Sequence, residues 1–413
     1  MTRLSRRSFL ITSAALGGGA LGALPARGSS HQAPVEIAIG TRVIEVKGKA
    51  AKVFGLTQPD GTRGLVMKAG ERFHVRLANG IGEPTLIHWH GLTPPNGQDG
   101  VPGVTQPLLQ PGQSYDYDFP VALPGTNWMH SHQGLQEQLL MAAPLIVRDP
   151  SDAARDEQEA VILLHDFTFR PPEEILAGFV KGMSHGMDHD MSGMGMQGMD
   201  MSHMDMSAGM AGMDLNDVSY DAYLANDRTL DDPEIVRVER GQRVRLRIIN
   251  AAAATNFLID LGTLSGSLSD VDGRPIVPVT GSRFPLAIAQ RADIRLALPA
   301  AEGAWPILFQ REGDTALTGT VLATKSGRVS KIAGRAAQAI GAIDRALPMF
   351  YEAAEPLADR PADRVLNIDL TGAMMPYRWG IEEAAAMAQH AHLMVREGER
   401  VDISRSSPSM AHG

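Results

Sequence analysis

The chain has no cysteine among its 413 residues. Any metal site must therefore be built from histidine, methionine and carboxylates. Thiolate ligation and cysteine nucleophilic catalysis are both excluded. The missing cysteines say little about compartment, because exported proteins form disulfides without requiring them. Aromatic residues are scarce, at 5% of the chain. Positive charge is in deficit, with 38 Lys and Arg against 47 Asp and Glu and a formal net charge of −9. That balance makes nucleic acid a poor partner and cations a good one.

Long apolar runs are lacking too. The stretch that ends near Ala26 is rich in Gly and Ala. It falls short of the ~20 strongly apolar residues a spanning helix needs, so a membrane anchor is the weaker reading. Ser5-Arg6-Arg7-Ser8-Phe9-Leu10 fits a twin-arginine export signal, and Ala26-Arg27-Gly28 offers a small-x-small cleavage site. Residues 1–28 thus read as a signal peptide that engages the twin-arginine machinery and delivers the chain, as a monomer, to the periplasm. They hold four arginines and no acid, so their removal takes the formal charge from −9 to −13.

The length suggests two or three domains, and a hydrophobic fraction of 44% gives each a core. A repeat sets their spacing. Val66–Leu77 recurs as Val236–Arg247 and again as Leu393–Ile403. Each copy is a short alternating strand, a Gly turn and a second alternating strand. The glycines Gly70, Gly241 and Gly398 lie 171 and 157 residues apart. Chance is the competing account of so short a string, but three copies at domain spacing favour tandem units. The expected units are 35–150, 158–325 and 345–413, with a Gly/Ala/Arg-rich link before the third. Thr85–His90, Tyr115–Phe119, Ala160–Leu164, Val244–Ile249 and Ile294–Leu298 read as strands, punctuated by Pro and Gly. The class is all-β, in sandwiches or small barrels. Only Glu173–Val180 and Glu382–Gln389 read as helix. The third unit has 15 residues after its Gly, against about 80 in the first. A partial unit exposes strand edges, so a truncated or partial sequence is the expectation.

His88-Trp89-His90-Gly91 lies on a strand, where alternation puts both imidazoles on one face, ~7 Å apart. His130-Ser131-His132 has the same form. One such pair is as well explained by two exposed histidines. Two pairs in one unit, from 13 histidines in all, point to a metal. Four imidazoles suit Cu, Zn, Fe or Ni. Counting 18 residues from Gly241, as from Gly70 to His88, reaches Ile259, so the second unit reads as a metal-free spacer. His31, His74, His165, His390 and His392 have no evident partner, and His390-Ala391-His392 precedes its Gly instead of following it.

Residues 183–213 hold eleven methionines and three histidines, set among Gly, Ser and Asp. The donors are Met183, His185, Met187, His189, Met191, Met194, Met196, Met199, Met201, His203, Met204 and Met206, with two more methionines after them. Thioethers are soft and prefer Cu(I). The segment follows neither strand nor helix period, so it reads as a loop that collects Cu(I), against the plainer reading of a low-complexity linker.

His88-Trp89-His90-Gly91, Asp99–Gln106 and Trp128–His132 resemble the first half of the multicopper oxidase signature. Tyr220–Asp227 and the twin-arginine signal resemble its copper-resistance branch, which includes laccase-like enzymes. The resemblance implies tandem cupredoxin-like Greek-key domains, two complete and a third partial. It implies copper as cofactor, with O2 and a reducing substrate, Cu(I) or a phenol, as partners of complete members. His88 would hold the type 2 copper, and His90, His130 and His132 the type 3 pair. Asp99 would assist proton delivery, although an Asp-Gly turn is an equal reading. His412 resembles the leading histidine of the third domain's motif. Four of the family's eight cluster ligands are missing here, and without cysteine no type 1 copper forms. The chain by itself is then not expected to reduce oxygen usefully. Two other readings stay open: copper sequestration without turnover, and a copper-free structural relative, which the retained His pairs disfavour.

Overall fold

Several strands in the first unit alternate between apolar and polar residues, and the fold follows from which face each buries. The computed structural model describes residues 33–185, 218–343, 351–374, 377–383 and 394–406, and every element below lies in the unit that starts at Val35. The first eight strands are β1 (Val35–Val46), β2 (Lys49–Thr57), β3 (Leu65–Lys68), β4 (Arg72–Asn79), β5 (Ile87–His90), β6 (Ser114–Pro120), β7 (Gly125–Ser131) and β8 (Ala142–Arg148). They form two four-stranded sheets, β2-β1-β4-β6 and β3-β8-β7-β5. On β4, Phe73, Val75 and Leu77 are buried while Arg72, His74 and Arg76 face outward. Phe73 stacks on Phe119 at 4.7 Å and meets the edge of Trp89 at 4.7 Å, which joins the two sheets across one core.

A second pair of sheets repeats this plan. Its elements are β9 (Glu157–Phe167), helix α1 (Pro172–His185), β10 (Ala222–Ala225), β11 (Ile235–Arg237), β12 (Arg243–Asn250) and β13 (Phe257–Asp260). There follow β14 (Gly266–Val271), β15 (Arg274–Gly281), β16 (Arg283–Leu286), β17 (Arg291–Ala297), β18 (Ala304–Arg311) and β19 (Leu317–Ala323). The sheets run β10-β9-β12-β17-β14-β15 and β11-β19-β18-β13-β16. A third group, β20 (Arg364–Met374), β21 (Tyr377–Glu383) and β22 (Val401–Ser406), runs β21-β20-β22.

The same motif begins each group. β1 is antiparallel to β2 and parallel to β4. β9 stands so to β10 and β12, and β20 to β21 and β22. Gly70, Gly241 and Gly398 precede β4, β12 and β22 with φ of 89°, 71° and 82°. Only glycine takes such a turn without strain, which is why the sequence repeat centres on it.

One expectation needs correction. Glu382 and Glu383 end β21, paired to Asp369 and Ile368 of β20, and are not helical; 384–389 lie outside the described residues. The link after the second unit docks on it. Residues 334–343 bind back onto the second unit, through Leu317 N to Gly334 O, Ala336 N to Thr315 O and Ile343 N to a Glu312 carboxylate oxygen.

The first unit packs on the second through β7, every residue of which is buried. Trp128 lies with Ile146, Leu163, Ile249 and Ala251 in one apolar cluster. Beside it Thr126 donates to Asp293 at 2.6 Å, and Arg245 and Arg247 bracket the same carboxylate. Buried charge is tolerable here because each ion is paired and hydrogen-bonded. No helix among the described residues is long and apolar enough to cross a membrane.

Candidate metal centre

β5 and β7 are antiparallel neighbours with His88 opposite His130 and His90 opposite Trp128. Residues directly opposite share a face. Trp89 and Met129 go to the core, so His88, His90, Trp128 and His130 go to the other side. His132 follows on the next turn of chain. Ring centroids are 5.6 Å apart for His88 and His90, 5.8 Å for His88 and His130, and 4.8 Å for His132 with both His88 and His130. The four imidazoles predicted to converge do so.

The loop after β5 fixes His88. Gly100 has φ 80°, and a Cβ there would stand 1.9 Å from the Ile87 carbonyl oxygen. Gly100 N donates to the buried Gln106 side chain at 2.8 Å, so the Asp99–Gln106 loop closes tightly on β5. This brings the Asp99 carbonyl oxygen to 2.7 Å from His88 Nδ1. A carbonyl only accepts, so Nδ1 carries the hydrogen and Nε2 is left with its lone pair free for a metal. The Asp99 carboxylate lies 3.4 Å from the same nitrogen.

His90 Nδ1 faces His130 Nε2 at 3.3 Å. Two nitrogens each about 2.0 Å from one ion, at an angle near tetrahedral, stand at such a separation. The pair could therefore share a metal. Among the described residues no three His or carboxylate side chains close around a single ion, so the cluster offers pairs that need further ligands.

The rings are held in the form a metal needs. Burial pushes His90 down to about 3, helped by the Arg291 guanidinium and then by the other imidazoles. Partial burial and the neighbouring His130 and His88 bring His132 to about 4. Burial likewise lowers His88. Neutral imidazoles bind metal without first losing a proton.

Three neighbours were not foreseen. Trp128 stacks on His130 at 4.0 Å with 9° between planes. Arg291 is buried, donates to the Thr126 and Asp272 carbonyls and pairs with the Asp272 carboxylate at 3.2 Å. Glu137 lies 3.3 Å from His130 Nδ1. The signal available in the sequence was Gln136-Glu137, four and five residues past Ser131-His132.

Met183 and His185 end α1, so the Met-rich segment starts inside a helix, contrary to expectation. Met187, His189, Met191, Met194, Met196, Met199, Met201, His203, Met204, Met206 and His412 lie outside the described residues, as do His31, His390 and His392. His74 faces outward on β4, opposite Asp118. His165 is buried on β9, and among the described residues neither of its ring nitrogens is hydrogen-bonded.

Two family models described as multicopper oxidase match the chain, one over residues 44–152 and one over 194–327, together more than half of it. The chain is 29% identical to a multicopper oxidase of Mycobacterium tuberculosis over 374 residues, which is 87% of this chain and 70% of that one. It is 31% identical to copper resistance protein A of Escherichia coli over 322 residues, 74% of this chain and 52% of that protein. Among solved structures it is similar to Fet3p, a multicopper oxidase that functions in iron import, with a TM-score of 0.63 at 17% identity, over 81% of this chain and 60% of that one. A laccase from Botrytis aclada gives a TM-score of 0.59 at 21% identity, over 84% and 62% of the two chains. The chain thus spans between about half and 70% of the length of the curated relatives named here.

Proposed function

Because the chain belongs to the multicopper oxidase family, we propose that His88, His90, His130 and His132 bind copper as one side of a polynuclear centre. The observation that carries this is the pairing of His90 Nδ1 with His130 Nε2 at 3.3 Å, in a cluster where burial lowers His88, His90 and His132. Imidazole suits copper, and no thiolate competes. Bound copper would supply one-electron chemistry, by which a donor such as Cu(I) or a phenol is oxidised and O2 is reduced to water. Within that reaction the chain's own residues hold and orient. β5 and β7 fix the imidazoles, the Asp99 carbonyl sets the His88 tautomer, and the Asp99 carboxylate stands ready to pass protons beside His88.

The twin-arginine signal supports export to the periplasm, where the Met-rich segment would gather Cu(I) for the same site. A second reading rests on composition. With no cysteine in the sequence, these residues cannot form a thiolate-bound copper to take in electrons. The chain would then sequester copper without turnover, and oxidation would need what complete members supply. The test is to express the exported chain with copper and to measure metal content, visible colour and oxygen uptake. Copper bound at the histidines without blue colour supports the site and the second reading. Oxygen consumption with a blue colour would overturn the claim about thiolate copper. A chain that takes up no copper overturns both readings.

A further inference from the structure

His130 is held from three directions. Trp128 covers one face of its ring in a parallel stack at 4.0 Å. Its Nε2 faces His90 at 3.3 Å. Its Nδ1 is buried, has no hydrogen-bond partner in good geometry, and faces Glu137 Oε2 at 3.3 Å.

Glu137 is placed there by a built-in clip. It opens a short 3-10 turn, Glu137–Leu139, that follows the His-Ser-His segment. Gln136, 4% exposed, anchors that turn. Its Oε1 accepts from Ser131 Oγ and from Thr85 Oγ1, both at 2.7 Å, and its Nε2 donates to the Pro84 carbonyl at 3.0 Å. Ser131 is the residue between the two histidines, and Thr85 leads into β5. One amide thus ties both histidine-bearing segments to the turn. Leu140 ends the turn with φ 62°, a conformation that costs a non-glycine residue energy and marks a geometry fixed by its surroundings. Glu137 stays half-buried, and among the described residues its carboxylate makes no other ion pair or hydrogen bond.

We propose that Glu137 is a positioning residue for His130. Its carboxylate takes the hydrogen of Nδ1 and leaves Nε2 bare toward His90, where the shared ion would sit. Gln136 holds Glu137 at that reach. A metal-binding histidine commonly donates its far N–H to a carboxylate, which fixes ring orientation and raises ligand basicity. The 3.3 Å separation is longer than a charge-assisted hydrogen bond, and it is expected to shorten when Nε2 is engaged. The role rests on copper binding at His130, but the hold on the tautomer exists without metal.

The metal-free full chain, labelled with 15N in its histidine rings, tests this by NMR at or above neutral pH, with His130 assigned by difference from His130→Asn. The wild type is expected to show His130 protonated at Nδ1. Glu137→Ala should release it to a mixed tautomer, while Glu137→Gln, whose side-chain oxygen still accepts, should keep Nδ1–H. In copper titrations Glu137→Ala should bind about 10- to 100-fold more weakly and Glu137→Gln should fall between it and wild type. A His130 ring protonated at Nε2 in wild type, or unmoved in Glu137→Ala, overturns the proposal whatever copper does. A tautomer that moves while copper affinity stays unchanged upholds the hold on the ring and removes His130 from the ligands.

Discussion

The first two units build the same sheet and use its outer face in opposite ways. The order β3-β8-β7-β5 matches β11-β19-β18-β13, including the parallel edge pair in each. β5 and β13 share one burial pattern, with alternate residues buried and half-exposed. Through the strand registers, His88, His90 and His130 correspond to Leu258, Asp260 and Gln310, and His132 corresponds to Glu312. In the second unit that face receives the chain's own link. Gln310 Nε2 donates to the Gln338 carbonyl at 2.8 Å, and Glu312 accepts from Ile343 N at 2.6 Å. In the first unit it carries imidazoles. Polar residues on such a face must be satisfied by something. One unit closes the account with its own backbone, and the other would close it with the copper proposed above.

The largest test of this contrast is at the residue beside the ligands. Trp128→Ala should cost about 3–5 kcal/mol in denaturant unfolding, since it empties the seam between the units. The same truncation at its counterpart Leu308, which is half-exposed, should cost clearly less. Equal costs would mean the two sheets are supported alike. Next, the double change His90→Ala with His130→Ala should weaken copper binding by more than about 100-fold, beyond what loss of an orienting residue does. Asp260→Ala should leave it unchanged. A matching loss from Asp260→Ala would show that copper does not read the difference between the units.

A smaller effect belongs to the second unit. Gln310→Ala removes two hydrogen bonds, to the Asp314 and Gln338 carbonyls, and should cost about 1–2 kcal/mol. Hydrogen exchange should quicken across 334–343, and a link that stays protected would show that Gln310 does not hold it. A further effect is with pH. His90, His132 and His165 are all lowered from an ordinary 6.5, the first two to about 3 and about 4. The unfolded chain then takes up protons below pH 6.5 that the folded chain refuses, so folding stability is whole above 6.5 and falls as the pH drops toward 4. His90→Ala with His132→Ala should flatten that slope in metal-free protein. Changing Leu258 and Asp260 should not.

Much of the site was legible because period-2 alternation needs nothing but spacing. The same-face pairing of His88 with His90 followed from it, and the meeting of the two pairs followed from their lying in one unit and from the family resemblance. The glycine-centred repeat was legible because a positive φ restricts the residue. Counting through a loop was less safe. The link from β4 to β5 has seven residues and that from β12 to β13 has six, so the residue matching His88 is Leu258 and not Ile259. Glu137 was hidden because its turn is set by Gln136 and ended by a left-handed Leu140, where no glycine marks the bend. β7 was hidden as well. Its polar Thr126, Asn127 and Ser131 are buried because partners as distant in sequence as Asp293 cover them.

The double burial of β7 bears on the order in which the protein assembles. His130 stands against Trp128, and Trp128 is enclosed only once Leu163 and Ile249 of the second unit arrive. The strand that presents the ligands is therefore a shared possession, complete only after both units have formed and met. With copper held as proposed, loading at His90 and His130 would be a late event and a checkpoint on correct assembly. Its signature would be amides of β7 that are the slowest in the chain to exchange with deuterium, and equally slow before and after copper is added.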